Sequence, residues 1–349
     1  MRAGNTPASA WPNNFIPMNP DTFTQSVPEP FPAETKTQSS FYRDVLAGLT
    51  ASPKKLQSKY FYDAAGDKLF QEIMNCPEYY LTNCEMEIFS EQTAVLAQTL
   101  TNRFEAFDLI ELGAGDATKS IYLLQYLLEQ KVDFTYLPID ISSNVIGQLG
   151  QNLPQKLPGL HMRGLNGDYF DMLKEASQLS LRPKVVLFMG SNIGNMPVKE
   201  AQEFCQAMRH QLSPNDLLII GFDLKKNPKT ILAAYNDAAG ITKNFNLNLL
   251  KRINRELEAD FDLNQFDHYP TYNPETGACK SYLVSLKKQQ VKLGEHLIAF
   301  EENELIDMEV SQKYNLQETD ALAKQAGFEP IAHFFDGKKW FVDALWECV

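Results

Sequence analysis

The sequence predicts an α/β fold: a doubly wound, mostly parallel sheet closed by an antiparallel C-terminal hairpin, plus a smaller α+β region. Three observations carry this. Apolar runs of strand length alternate with helical patterns between residues 105 and 224. The first run, Phe107 to Leu112, opens into a glycine turn, Glu111-Leu-Gly-Ala-Gly115. The last segment places Asp336-Gly337 between two runs of strand-forming residues, a hairpin signature.

Taken in order, residues 1–38 are rich in Pro, Thr, Ser and Asn and read as a mobile or extended arm, with Trp11, Phe15, Phe23 and Phe31 able to pack on the body. Residues 39–100 read mostly as helices. Inside them, residues 59–66 concentrate tyrosine and a glycine. Tyr60, Phe61 and Tyr62 are either core aromatics or parts of a working loop. Strands are expected at 107–112, 134–140, 160–165, 184–190 and 217–224, and helices at 117–130, 142–152, 168–179 and 197–212. After 224 the rhythm breaks. Residues 228–256 look helical, while 279–286, 289–300 and 307–314 alternate like strands. A helix at 317–327 and the hairpin close the chain. The stretch 225–316 is thus expected to be an insertion that lids the sheet. Three parts follow: the arm 1–38; a discontinuous substrate-binding or lid domain, 39–83 with 225–312; and the sheet domain, 84–224 with 313–349.

Composition narrows the function. The 349 residues carry a net charge of −12 and no Lys/Arg cluster with interleaved aromatics, which disfavours nucleic acid. Five scattered cysteines without a CxxC read as reduced thiols in a cytoplasmic protein. The five histidines show no metal-ligand spacing, so no metal is expected. There is no apolar run of membrane-spanning length and no apolar core of a signal peptide. No obligate protein partner is inferred.

Parallel sheets bind ligands outside the carboxyl ends of their strands. Those ends carry Gly113, Asp140, Gly167-Asp168-Tyr169, Gly190 to Asn195, and Asp223. The dinucleotide fingerprint needs a further Gly or Ala where Thr118 stands, and Asp116 at the helix start opposes a pyrophosphate. An adenosyl ligand without phosphates fits better. S-adenosylmethionine is such a ligand, and its sulfonium tolerates nearby acids. Asp140, ending the second strand, can accept both hydroxyls of a ribose.

These stretches together resemble the histidine-specific, S-adenosylmethionine-dependent N-α-methyltransferases of ergothioneine biosynthesis, whose superfamily includes fungal tryptophan-derivative N-methyltransferases. The resemblance covers roughly residues 40–349. It runs through Tyr60-Phe-Tyr-Asp-Ala-Ala-Gly-Asp-Lys-Leu-Phe70, Pro77-Glu-Tyr-Tyr-Leu-Thr82, Glu111-Leu-Gly-Ala-Gly115, Pro138-Ile-Asp-Ile141 and Gly167-Asp-Tyr169. It continues in Gly190-Ser-Asn-Ile-Gly-Asn195, Ala234-Tyr-Asn-Asp-Ala-Ala-Gly-Ile-Thr242, Asn254-Arg-Glu-Leu-Glu-Ala-Asp-Phe261 and Glu309-Val-Ser-Gln-Lys-Tyr314. It implies a class I, Rossmann-like methyltransferase fold and roles for named residues. Tyr62, Gly113, Lys119, Asp140, Asp168 and Tyr169 would contact the cofactor, whose product is S-adenosylhomocysteine. Tyr79, Asn195, Tyr235, Glu309 and Ser311 would hold L-histidine, with Asn195 and Tyr235 at its amino and carboxylate end. Ser281 falls where relatives place a bulkier apolar residue, and Asp307-Met308 where small polar residues are more familiar.

Elementary chemistry agrees. Glu309 and Ser311 are two apart on an expected strand, hence on one face. A neutral imidazole has one N–H for the carboxylate and one bare nitrogen for the hydroxyl. An apolar side chain would leave Glu309 unpaired. Blander roles stand beside these: Glu309 paired with Lys313, Asn195 as a helix cap or a turn residue before Pro197, Asp140 as a helix cap, and Tyr235 as a helix-face aromatic packing on the lid. The implied reaction is in-line methyl transfer to the α-amino nitrogen, repeated to the trimethylated betaine, hercynine. Tyr62 and Tyr79 are the candidates to position the amine or relay its proton. The alternatives are the same chemistry on another aromatic or imidazole-bearing amino acid, and a non-catalytic protein that keeps the cofactor pocket.

Overall fold

The computed structural model describes residues 39–349; the expected arm and its aromatics lie outside the described residues. The first described part is helical, as the pattern predicts. Ser39 caps α1 (Ser40–Thr50) by accepting from the Tyr42 amide. A two-residue strand, β1 (Lys54–Lys55), precedes α2 (Ala64–Met74), α3 (Leu81–Glu91) and α4 (Thr93–Thr101).

Strands and helices then alternate: β2 (Ala106–Leu112), α5 (Ser120–Glu129), β3 (Asp133–Asp140), α6 (Ser143–Lys156), β4 (Leu165–Asn166), α7 (Tyr169–Leu179), β5 (Lys184–Phe188), α8 (Val198–Gln211) and β6 (Leu217–Asp223). Next come α9 (Pro228–Ala234), α10 (Ile241–Leu257), β7 (Phe266–Tyr272), β8 (Ala278–Ser285), β9 (Gln289–Leu293), β10 (His296–Phe300) and β11 (Leu305–Gln312). The chain closes with α11 (Leu316–Ala326), β12 (Phe328–Phe335) and β13 (Phe341–Cys348).

The large sheet has seven strands in the order β12-β13-β6-β5-β2-β3-β4. β2 to β6 run parallel, and β13 is antiparallel to both β6 and β12. The order reverses between β2 and β5, so a crevice opens at their carboxyl ends. This is the doubly wound, Rossmann-like sheet closed by an antiparallel hairpin that the alternation and the Asp336-Gly337 signature predict. Both faces are covered. Phe107 and Leu109 pack toward α4 and α5, and Ile110 and Leu112 toward α7 and α8, which is why β2 reads as a continuous apolar run. A second sheet, β1-β11-β8-β7, and the β9-β10 hairpin share a third core with α1 and α10 around Leu249, Ile253, Leu283 and Ile306.

Three elements depart from the pattern. The strand expected at 160–165 shrinks to one bridge, Tyr136 to Met162, and the two-residue β4. It lies at the sheet's edge, where residues 161, 163 and 164 are exposed and nothing beyond them pairs. The run 289–300 folds back on itself at Gly294, whose φ of +58° suits glycine, and becomes a hairpin. β7 escapes the pattern because Pro270 interrupts it. An edge strand tolerates proline, since the missing N–H faces no neighbour.

Candidate active site

The glycine turn after β2 and the end of β3 form one wall of the crevice. Gly113 (φ +68°) and Gly115 (φ +53°) both adopt left-handed backbone. A Cβ on Gly113 would lie 2.7 Å from the Tyr169 hydroxyl, so this turn needs glycine for space as well as for φ. A Cβ on Gly115 would meet nothing within 4 Å, which leaves the turn open to a ligand. Asp140 accepts from the Ser142 amide at 2.9 Å and the Gly115 amide at 3.3 Å. Helix α6 is capped by Ser142, not by Asp140, so each Asp140 oxygen keeps a lone pair beyond its one amide bond. Asp168 caps α7 through the Phe170 amide at 2.9 Å. Tyr169 follows it, edge-on to Phe188, with burial pushing its phenol up to about 12.

Lys119 is held by an ion pair with Glu85. Glu85 also accepts from the Gly190 amide at 2.7 and 3.0 Å, tying α3 to the end of β5. Sequence reasoning passed over Glu85, yet a signal was present: it lies on the buried stripe Leu81, Cys84, Glu85, Ile88 of its helix. A charge on such a stripe needs a partner.

Beyond this wall lies a cleft of about 580 Å³, and Tyr62, Tyr79, Asn195, Tyr235, Glu309 and Ser311 all line it. Asp63 sets the approach of Tyr62: its carboxylate caps α2 at Gly66 and accepts from Asn248 (2.9 Å) and Arg255 (2.6 Å) on α10. The neighbouring aromatics divide their work. Phe61 is core, Tyr60 donates to Asp44, and Tyr62 faces the cleft against Phe70 and Phe245. Burial, then the Glu309 carboxylate, push the Tyr62 phenol well above its ordinary range. Burial does the same for Tyr79 and Tyr235.

Glu309 owes its direction to a β-bulge. Opposite β8, Asp307 pairs with Tyr282 but Glu309 pairs with Ser281, so Met308 is an extra residue. The inner face therefore carries Ile306 before the bulge and Glu309 and Ser311 after it, facing Leu283, Ser281 and Cys279. Burial pushes the Glu309 carboxyl up to about 7, against the pull of the Ser281 hydroxyl and the Lys313 ammonium.

The bland pairing of Glu309 with Lys313 does not form. Lys313 instead bonds Asp223 at 2.7 Å, both side chains fully buried. It also donates to the Tyr235 hydroxyl (2.7 Å) and to Ser311 Oγ (2.8 Å). Those two hydroxyls bond each other at 2.7 Å, so Tyr235 is no plain helix-face aromatic. Asn195 closes a short turn, Asn192–Asn195, and caps nothing: Pro197 precedes α8.

The chain matches, over residues 41–348, the family model described as histidine-specific, S-adenosylmethionine-dependent methyltransferase. It is 34% identical over 287 residues to a histidine N-alpha-methyltransferase of Mycolicibacterium smegmatis, covering 82% of this chain and 88% of that protein. A histidine N-alpha-methyltransferase of Mycobacterium tuberculosis is 33% identical over 303 residues, 86% of this chain and 90% of its own. The ergothioneine biosynthesis protein 1 of Schizosaccharomyces pombe is 27% identical over 286 residues, 80% of this chain but 37% of that longer protein.

Proposed function

The chain belongs to the histidine-specific, S-adenosylmethionine-dependent methyltransferases, and from that premise we propose that it methylates the α-amino nitrogen of L-histidine in succession, to the trimethylated betaine. The observation that carries this reading is the inner face of β11. Glu309, with no cation bonded to it among the described residues, and Ser311 stand two apart on one face and both line the cleft: an acceptor for a ring N–H and a hydroxyl that can donate to a bare ring nitrogen.

The cofactor side fits the reading. When bound, S-adenosylmethionine supplies an electrophilic methyl on a sulfonium. Asp140 would take the ribose hydroxyls, Asp168 and Tyr169 the adenine, and Gly113 and Lys119 the turn between them. Tyr62 lines the cleft with 46% of its surface exposed, which suits a residue that touches both cofactor and substrate.

The chain's own residues have three tasks in this mechanism. Asn195 and the Tyr235 corner hold the amino-acid end, and Glu309 with Ser311 holds the ring, so the amine lone pair points at the methyl carbon. Phe70, Tyr79 and Phe245 exclude water. The amine must shed a proton before attack. Tyr62 and Tyr79 stay neutral phenols, which suits positioning or passing that proton along, not holding it as a base. In this reading residues 39–83 and 225–312 form the substrate lid, and residues 84–224 and 313–349 the cofactor domain. Separate packing of the third core supports that division.

Mass spectrometry of the protein with S-adenosylmethionine and L-histidine tests the reaction. Gains of one to three methyls are expected, with Glu309→Ala losing about a hundredfold or more in kcat/KM through the unpaired ring N–H. No methylated histidine from a folded protein that binds the cofactor would overturn it.

A further inference from the structure

A densely bonded polar cluster, not itself among the cleft-lining residues, reaches two of them, Tyr235 and Ser311. Asp223, at the end of β6, is fully buried and accepts from Lys226, from the Tyr80 hydroxyl (3.0 and 2.8 Å) and from Lys313. Lys226 reaches the Tyr80 hydroxyl at 2.9 Å as well. Asp223 thus anchors two ammonium groups, and one of them continues toward the cleft. All three Lys313 donors are spent: on Asp223, on Tyr235 and on Ser311. An ammonium has no lone pair, so both hydroxyls must accept from it.

Counting protons then constrains the site. Tyr235 and Ser311 hold one hydroxyl proton each, and one of the two is used in the 2.7 Å bond between them. One proton is left to face the cleft. If Tyr235 donates to Ser311, both Ser311 lone pairs are occupied and its O–H points outward. If Ser311 donates to Tyr235, the outward proton belongs to Tyr235 and Ser311 shows a lone pair. An imidazole whose N–H is taken by Glu309 presents a bare nitrogen to Ser311, which demands the first arrangement.

We propose that Lys313 is a positioning residue that sets acceptor specificity: by occupying lone pairs on both hydroxyls, it makes Ser311 a donor without acceptor capacity whenever Tyr235 donates to it, so the pocket favours a ring with a bare nitrogen. Two consequences follow. Tyr235 cannot give its proton to the substrate carboxylate while Ser311 holds a bare ring nitrogen, so Asn195 donates to the carboxylate and Tyr235 keeps one lone pair to accept from the substrate amine. Without Lys313, Ser311 keeps a lone pair in either arrangement and can accept from a ring N–H even while Tyr235 donates to it. The inference rests on histidine being the acceptor.

The test uses the full chain, as Lys313→Met and as Lys313→Leu, both of which leave Asp223 paired with Lys226 and the Tyr80 hydroxyl. We expect KM for L-histidine to rise about tenfold, the worth of one oriented hydrogen bond, with kcat changed less than about threefold. L-Tryptophan, as a competitive inhibitor, should bind no worse than to the unaltered protein. In ¹⁵N spectra of ring-labelled L-histidine bound with S-adenosylhomocysteine, the bare-nitrogen resonance should move toward the value of a nitrogen without a donor. Unaltered protein that does not methylate histidine would overturn the acceptor assignment itself. If it does methylate histidine, equal losses toward both amino acids, or a nitrogen resonance unmoved in both variants, would overturn the role of Lys313 alone.

Discussion

Among the described residues no cation is bonded to Glu309, because the lysine four positions on is committed to Asp223. A carboxyl raised to about 7 carries a proton through much of the mildly acidic range. In that form it cannot accept from an imidazole N–H. We therefore expect kcat/KM for L-histidine to climb with pH through about 7, in step with Glu309 losing its proton, and Glu309→Gln to lower and flatten that limb in a profile from pH 5.5 to 9. Glu111 gives the matching stability effect. It is buried beneath the glycine turn, accepts from the Tyr136 hydroxyl, and its carboxyl is pushed by burial from 4.5 to about 7. The folded protein keeps a proton there that the unfolded chain releases. That contribution is complete below pH 4.5 and is lost as pH rises to about 7. It amounts to about 3 kcal/mol. Urea denaturation at pH 5 and pH 8 should show this fall, and Glu111→Gln should remove most of it.

Asp63 acts at the scale of elements, joining the start of α2 to α10 and holding Tyr62 between them. Its carboxyl is drawn down to about 2: burial opposes the shift, and the Arg255 guanidinium with the Gly66 amide and Asn248 overcomes it. The sign is the reverse of Glu111: the stabilisation is present above about pH 4 and is lost as pH falls toward 2. Asp63→Ala removes a helix cap and an inter-helix tie together, so about 2–3 kcal/mol of stability should go. KM for L-histidine should rise severalfold while the methyl count per product is unchanged, read by melting and by mass spectrometry. The bulge in β11 works at the same scale: one inserted residue, Met308, decides that Glu309 and Ser311 look inward. Alternation counted along 305–312 places Glu309 and Ser311 together but does not say on which face.

At the scale of the whole molecule, the two halves of the site come from chain segments far apart in sequence. A ligand that bridges them should tighten the fold. S-adenosylhomocysteine at about a hundred times its Kd should stabilise the protein by about 2.7 kcal/mol. L-Histidine added on top should raise Tm further, and L-phenylalanine should not, because it leaves Glu309 and Ser311 unpaired. A panel of amino acids with the same readout separates histidine from the other acceptors that the small Ser281 beside Glu309 leaves in play.

Much of this was legible without coordinates. The parallel strands, the glycine turn and the closing hairpin rest on local periodicity and turn chemistry, which neighbouring residues set among themselves, so the Rossmann-like sheet and its carboxyl-end crevice followed from sequence. Strand-end position drew attention to Asp140 and Asn195, whereas Glu309 stood out only through the family resemblance; the roles of all three remain part of the proposed function. The tertiary structure alone decided the partners. It gave Lys313 to Asp223 and not to Glu309, brought Glu85 to Lys119, placed Pro270 on an edge, and turned Glu309 inward through a bulge. Each is a contact between groups remote in the chain, decided by which charges must be satisfied once both are buried, and no local pattern records that choice.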